Sequence, residues 1–193
     1  MIAAIAFVLL LQEPALPERP KPPKFPFDVG VDGTLWVADF DFHSATPLHD
    51  LNIELTSVTG VEIFGRTRVV GPVWAGLSAE ADFGLSSYIA LVSPELLVRF
   101  PLYDSIWEVQ LRGRVLGGQL RMQSAPGDFD PAIGWEATIA VCCSPERNGW
   151  QGRFEIGVRQ LQFDFNPDSD VITADDTVGG LGWVVRLGVE WWW

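Results

Sequence analysis

The chain has 193 residues, 48% of them hydrophobic and 20% charged, with a mean hydropathy of +0.18, which is enough to build the core of one domain. Thirteen Lys plus Arg against twenty-five Asp plus Glu leave a formal charge of −12, and this deficit argues against nucleic acid as a partner. The lysines are Lys21 and Lys24 alone, so a polybasic surface adhering to anionic lipid is not expected, although a protein embedded in lipid stays open.

Residues 2–11 are uninterrupted apolar, IAAIAFVLLL, and then the chain turns polar and proline-rich. Ten residues cannot cross a hydrocarbon core as a helix. Their length suits the apolar region of a signal peptide with Ala15 near the cleavage point, although a basic residue ahead of it is lacking. A segment buried in a soluble core is the alternative. Pro14, Pro17, Pro20, Pro22, Pro23 and Pro26 hold residues 14–26 extended, because proline fixes φ and has no amide donor. The expected organisation is a signal peptide at 1–15, a linker at 16–26 and a β-domain at 27–193.

From residue 27 the chain reads with period two, apolar and polar residues alternating between short Gly, Pro, Asp and Ser punctuators. The first strand is expected near 27–42 and the second near 50–65. The third, near 69–87, shows the pattern clearly, with Val73, Leu77 and Phe83 on one parity and Ser78, Glu80 and Asp82 on the other. Strands near 91–102, 105–123, 132–143 and 151–165 follow. The last, near 178–193, carries Leu181, Trp183, Val185, Leu187, Val189, Trp191 and Trp193 on one face. The apolar set changes parity near Leu116 and Gln160, as a β-bulge or a missed turn would produce.

Alternation alone does not say which face is wet. Several runs reach about 15 residues, beyond the usual soluble strand and ample for a tilted bilayer crossing of about 9–11. The polar face carries Asp28, Asp32, Glu54, Glu62, Glu95, Arg99, Glu108 and Glu190 as well as the residues singled out below. It is mixed in sign and free of lysine, as crossed Arg–carboxylate pairing inside a narrow barrel would require. Nine tryptophans lie mostly near the expected strand ends, including Trp36, Trp74, Trp107, Trp135 and Trp150, where interfacial aromatic girdles would sit. The connections near 43–49, 88–90, 124–131 and 166–177 fall at one end, and the shorter ones near 66–68, 103–104 and 144–150 at the other. These features predict an all-β, closed antiparallel up-and-down transmembrane β-barrel of about eight strands. Glu80, Asp82, Arg112, Arg114, Glu136, Arg153, Glu155, Arg159 and Arg186 are the candidates for an ion-pair network in its lumen.

In this pattern residues 27–193 resemble the eight-stranded outer-membrane β-barrels of Gram-negative bacteria, the class containing the transmembrane domain of outer membrane protein A. The resemblance implies a structural or surface-exposed barrel in the bacterial outer membrane, with at most a narrow polar pore. Its implied partners are outer-membrane lipids, lipopolysaccharide and the barrel-assembly machinery. The alternating terminal strand, Val185, Leu187, Val189, Trp191 and Trp193, matches the assembly signal of that class. Some of its members are lipid A deacylases or palmitoyl transferases needing a His near a Ser on the outer rim; here His43 with Ser44, and His49 with Asp50, offer the nearest match. Ordinary rim residues are the preferred reading of these, and no catalytic residue is assigned.

Asp168, Asp170, Asp175 and Asp176 gather oxygen ligands of the kind Ca²⁺ prefers, but lack the order of an EF-hand loop; a solvated acidic loop is the default. No cofactor is expected: Cys142 and Cys143 are adjacent and read as incidental, and neither a CxxC nor an HExxH motif occurs. Gly117–Gly118 and Gly179–Gly180 read as turns or barrel bends. The rival to the membrane barrel is a periplasmic or secreted soluble β-barrel with its aromatic face turned inward around an apolar ligand.

Overall fold

The computed structural model describes residues 27–43, 57–84, 87–102, 106–122, 127–129, 132–143, 149–167 and 177–192. Residues 1–26, with the expected signal peptide and linker, lie outside the described residues, as do Ser44, His49, Asp50, Glu54, Asp168, Asp170, Asp175, Asp176 and Trp193. Nine strands follow in chain order: β1 Phe27–His43, β2 Ser57–Val70, β3 Val73–Phe83, β4 Ser87–Pro101, β5 Trp107–Met122, β6 Gly127–Phe129, β7 Ala132–Cys143, β8 Trp150–Pro167 and β9 Thr177–Trp192. No helix occurs among the described residues.

Eight of these strands form a closed ring. Each pairs antiparallel with its neighbour in the order β8-β7-β5-β4-β3-β2-β1-β9, and β9 pairs again with β8 to close the sheet. Closure removes the unpaired edges that an open sheet would expose. The ninth, β6, is a three-residue strand that pairs with the end of β8.

The pairing register sets the dimensions. Starting at Val29, the partners run through Gly65, Leu77 and onward around the ring to Trp135, Gln160 and Leu181, and return to β1 at Asp39, ten residues further along. With a rise of about 3.3 Å per residue and a strand spacing of about 4.8 Å, that offset gives a tilt of about 40° and a radius of about 8 Å. Such a lumen is just wide enough for side chains to fill.

Strand parity is unbroken where the sequence suggests slips. Gln110, Arg112, Arg114, Leu116 and Leu120 all point inward along β5, and Gln151, Arg153, Glu155, Arg159, Leu161 and Phe163 do so along β8. The change near Leu116 and Gln160 is a change in the lumen from charged to apolar, with no bulge. Among the described residues the one register shift lies between Arg68 and Val70.

Two expected turn positions also move. Residues 66–68 lie within β2, and the chain reverses at Gly71–Pro72, where Gly71 takes φ +53° and accepts a 2.7 Å hydrogen bond from Arg68 Nε on its carbonyl. Residues 88–90 lie within β4, which already begins at Ser87. Gly117–Gly118 is strand interior, paired with Val92 and Leu91 of β4, and a Cβ on Gly118 would stand 2.1 Å from the Ala90 carbonyl oxygen. Gly179–Gly180 likewise lies within β9, paired with both β1 and β8.

Candidate functional site: the charged lumen

The inward parity of eight strands converges on the barrel axis. Among the described residues, nine carboxylates and seven guanidiniums are buried there. Isolated charges in such surroundings are strongly disfavoured, and they are tolerated only when paired and hydrogen-bonded.

At mid-height four guanidiniums interlock with six carboxylates. Arg186 on β9 reaches Glu62 on β2 at 2.7 Å, Glu80 on β3 at 3.2 Å, and Glu136 on β7 and Glu155 on β8 at 2.8 Å each. Arg114 binds Glu136 through two nitrogens, at 2.8 and 2.7 Å, and also meets Glu80 at 2.8 Å and Glu62 at 3.0 Å. Arg159 donates to Glu80, Asp82 and Glu136 at 2.6 to 2.9 Å. Arg112 links Glu62 at 2.8 Å to Glu95 at 3.2 Å and pairs with Glu155. The planar, multi-donor guanidinium is what allows one cation to serve several strands at once.

Below this ring, toward the short-turn end, Arg153 meets Asp32 at 2.8 Å and Glu155, and Arg66 meets Glu95 and, at 3.2 Å, Glu190. The Arg66 and Arg153 guanidiniums both stand over the Phe64 ring, 3.8 and 4.8 Å from its centroid. At that mouth Arg99 pairs with Asp28, with Glu190 at 3.0 Å and with Glu108 at 3.7 Å, and stacks 4.2 Å from the Trp74 ring. Cys142 is buried in the lumen here and forms no disulfide with Cys143.

Above the ring, toward the end carrying the longer connections, the lumen turns apolar. Trp36, Leu91, Leu116, Leu161, Phe163 and Val184 form one buried cluster across five strands. Arg159 lies 5.2 Å from the Trp36 ring and marks the boundary between the two sections.

All nine residues singled out for the lumen network lie within it, in contact with one another. Sequence reasoning left Glu62, which touches three guanidiniums of the central ring, outside that set, along with Asp28, Asp32, Arg66, Glu95, Arg99 and Glu190. Their shared parity was the available signal. Two expected girdle tryptophans are inside: Trp36 is fully buried and Trp74 nearly so, because the even positions of β1 and β3 all face the axis. Trp107, Trp135, Trp183 and Trp191 are on the outer face. So are Val185, Leu187 and Val189 of the terminal strand. His43 ends β1 opposite Thr177; the residues that would complete an acyl-transfer site lie outside the described residues.

The outer face is apolar around the whole ring. Leu77, Val92, Leu96, Val115, Ile133 and Leu187 are each more than half exposed. Register and tilt put the band from Phe27, Phe100, Trp107 and Trp191 at one end to Phe83, Tyr88 and Ile133 at the other at roughly 25 Å along the axis, the height of a hydrocarbon core crossed by a barrel. Phe83 and Tyr88 form an aromatic pair, centroids 5.3 Å apart, at the long-loop end.

A closed eight-stranded up-and-down barrel with a charged lumen and an apolar exterior is thus the class this chain represents. The fold is shared with two eight-stranded outer-membrane barrels of known structure. One is the outer membrane protein OprG of Pseudomonas aeruginosa, at TM-score 0.59 and 11% identity over 86% of this chain and 94% of that one. The other is Neisserial surface protein A, at TM-score 0.53 and 14% identity over 86% of this chain and 96% of that one. No protein-family model and no curated protein matches the chain.

Proposed function

We propose that the protein is a structural, surface-exposed barrel of the bacterial outer membrane, crossing it with eight strands as a closed cylinder without an open pore. The observation carrying this reading is the inversion of polarity: Leu77, Phe83, Leu187 and Trp191 are 62, 54, 65 and 44% exposed, while Glu80 and Arg186 are 4 and 1% exposed. In water such a surface would be a severe aggregation hazard, whereas in lipid it is the expected solvent contact. The rival soluble barrel needs its aromatic face around an apolar ligand, and β9 turns that face outward. Filling of the lumen by ion pairs and an apolar cluster supports a structural role over a diffusion channel.

In this reading the apolar band contacts outer-membrane lipid, the long-loop end meets lipopolysaccharide at the cell surface, and the sequence signal Val185, Leu187, Val189, Trp191 and Trp193 is read by the barrel-assembly machinery. The full chain is expected to require detergent and to migrate differently in gels before and after boiling. A detergent-free, monodisperse soluble monomer would overturn the proposal.

A further inference from the structure

We infer that the apolar cluster at the long-loop end is the permeability seal of this barrel, and that the ionic section beneath it is the part that can hydrate. The inference rests on the membrane-barrel reading above. In the ionic section every central guanidinium has three or four carboxylates within reach. Partners can therefore be exchanged, and water or an ion admitted, without leaving a charge bare. The apolar section has no such reserve. Trp36, Leu116, Leu161, Phe163 and Val184 are each 0% exposed and Leu91 1%, and they come from β1, β4, β5, β8 and β9, so the layer spans the lumen. An ion entering it would lose its hydration among mostly aliphatic and aromatic side chains, and hydrophobic constrictions of this kind close pores by excluding water.

The two ends of the lumen differ accordingly. At the short-turn mouth the network itself reaches solvent, with the Glu108 side chain 21% and Arg99 8% exposed. Hydration of the ionic section from that mouth alone follows.

The test is ion conductance of the full-length protein reconstituted in planar bilayers. Wild type is compared with Leu116→Ser/Leu161→Ser, which makes the seal polar, and with Arg186→Gln, which weakens the network and leaves the seal intact. The seal variant is expected to conduct at least tenfold above wild type, and Arg186→Gln to stay at the wild-type level. Heat-modifiable migration verifies that each variant has folded. Should the double variant not fold, Leu161→Ser alone serves, with the same expectation in direction. A folded seal variant indistinguishable from wild type would overturn the inference, as would conductance gained by Arg186→Gln and not by the seal variant. Failure of wild type to enter a bilayer at all would instead overturn the membrane-barrel reading.

Discussion

Glycine at an inward position does a particular job in so narrow a lumen: it leaves room for the long side chain opposite. Gly188 pairs with Asp32 across the β1–β9 seam, and a Cβ there would stand 1.9 Å from Asp32 Oδ1 and 2.3 Å from the Val31 carbonyl oxygen. The backbone oxygen cannot move aside cheaply. Gly113, on the outer face of β5, would place its Cβ in open space. Gly188→Ala is therefore expected to destabilise by about 1–3 kcal/mol through overpacking, while Gly113→Ala is neutral or slightly stabilising by restricting the unfolded chain. Urea unfolding in lipid vesicles, followed by tryptophan fluorescence, separates the two. Equal effects would mean that the inward glycines are not spacing the lumen.

At the scale of the strand, parity decides everything. Position 187 of β9 is outward and near mid-height, so Leu187→Arg puts a cation into the apolar band and is expected to cost about 2–4 kcal/mol in the same unfolding measurement. The position beside it, 186, holds a buried arginine that the fold requires, so adjacent residues demand opposite chemistry. A near-neutral Leu187→Arg in vesicles would argue against lipid contact at this face. Parity was readable from the sequence over most of β1, β3, β7 and β9, since charged and apolar residues alternate there. It was obscured in β5 and β8, because at one end Leu116, Leu120, Leu161 and Phe163 face inward while Gln119, Arg121, Gln160 and Gln162 face outward, so the apolar set changes sides without a change in parity. The Gly71–Pro72 reversal was also legible as a turn dipeptide, but the polar run Arg66–Arg68 beside it gave a competing signal.

For the whole molecule, Arg186 ties the last strand to four others, β2, β3, β7 and β8. Removing its charge leaves four buried carboxylates short of one cation. Arg186→Met is expected to lower stability by about 3–5 kcal/mol, the usual consequence of breaking one side of a buried ion network. Arg186→Lys retains charge but not the fork that reaches several strands, and should recover only part of this. Because the side chains of Arg186 and its four partners are at most 1% exposed, away from the mouth where Arg99 and Glu108 meet solvent, raising salt from about 0.1 to about 1 M should leave the Arg186→Met deficit nearly unchanged. A deficit that collapses at high salt would mean that bulk ions reach and screen the central ring in the resting barrel.

The amino-acid sequence by itself determined the all-β class, the eight long strands, and which residues could share a face, because a pleated strand sends alternate side chains to opposite sides whatever it packs against. It also marked the polar face as rich in arginine and carboxylate. Which carboxylate meets which guanidinium was decided only by tertiary structure. Partners such as Arg186 and Glu80 lie 106 residues apart, and the ten-residue offset accumulated around the ring brings them to one height. The same closure made the apolar run at the long-loop end an internal layer: a leucine on a strand is equally suited to lipid or to a sealed lumen, and only the direction in which the sheet curls assigns it to one.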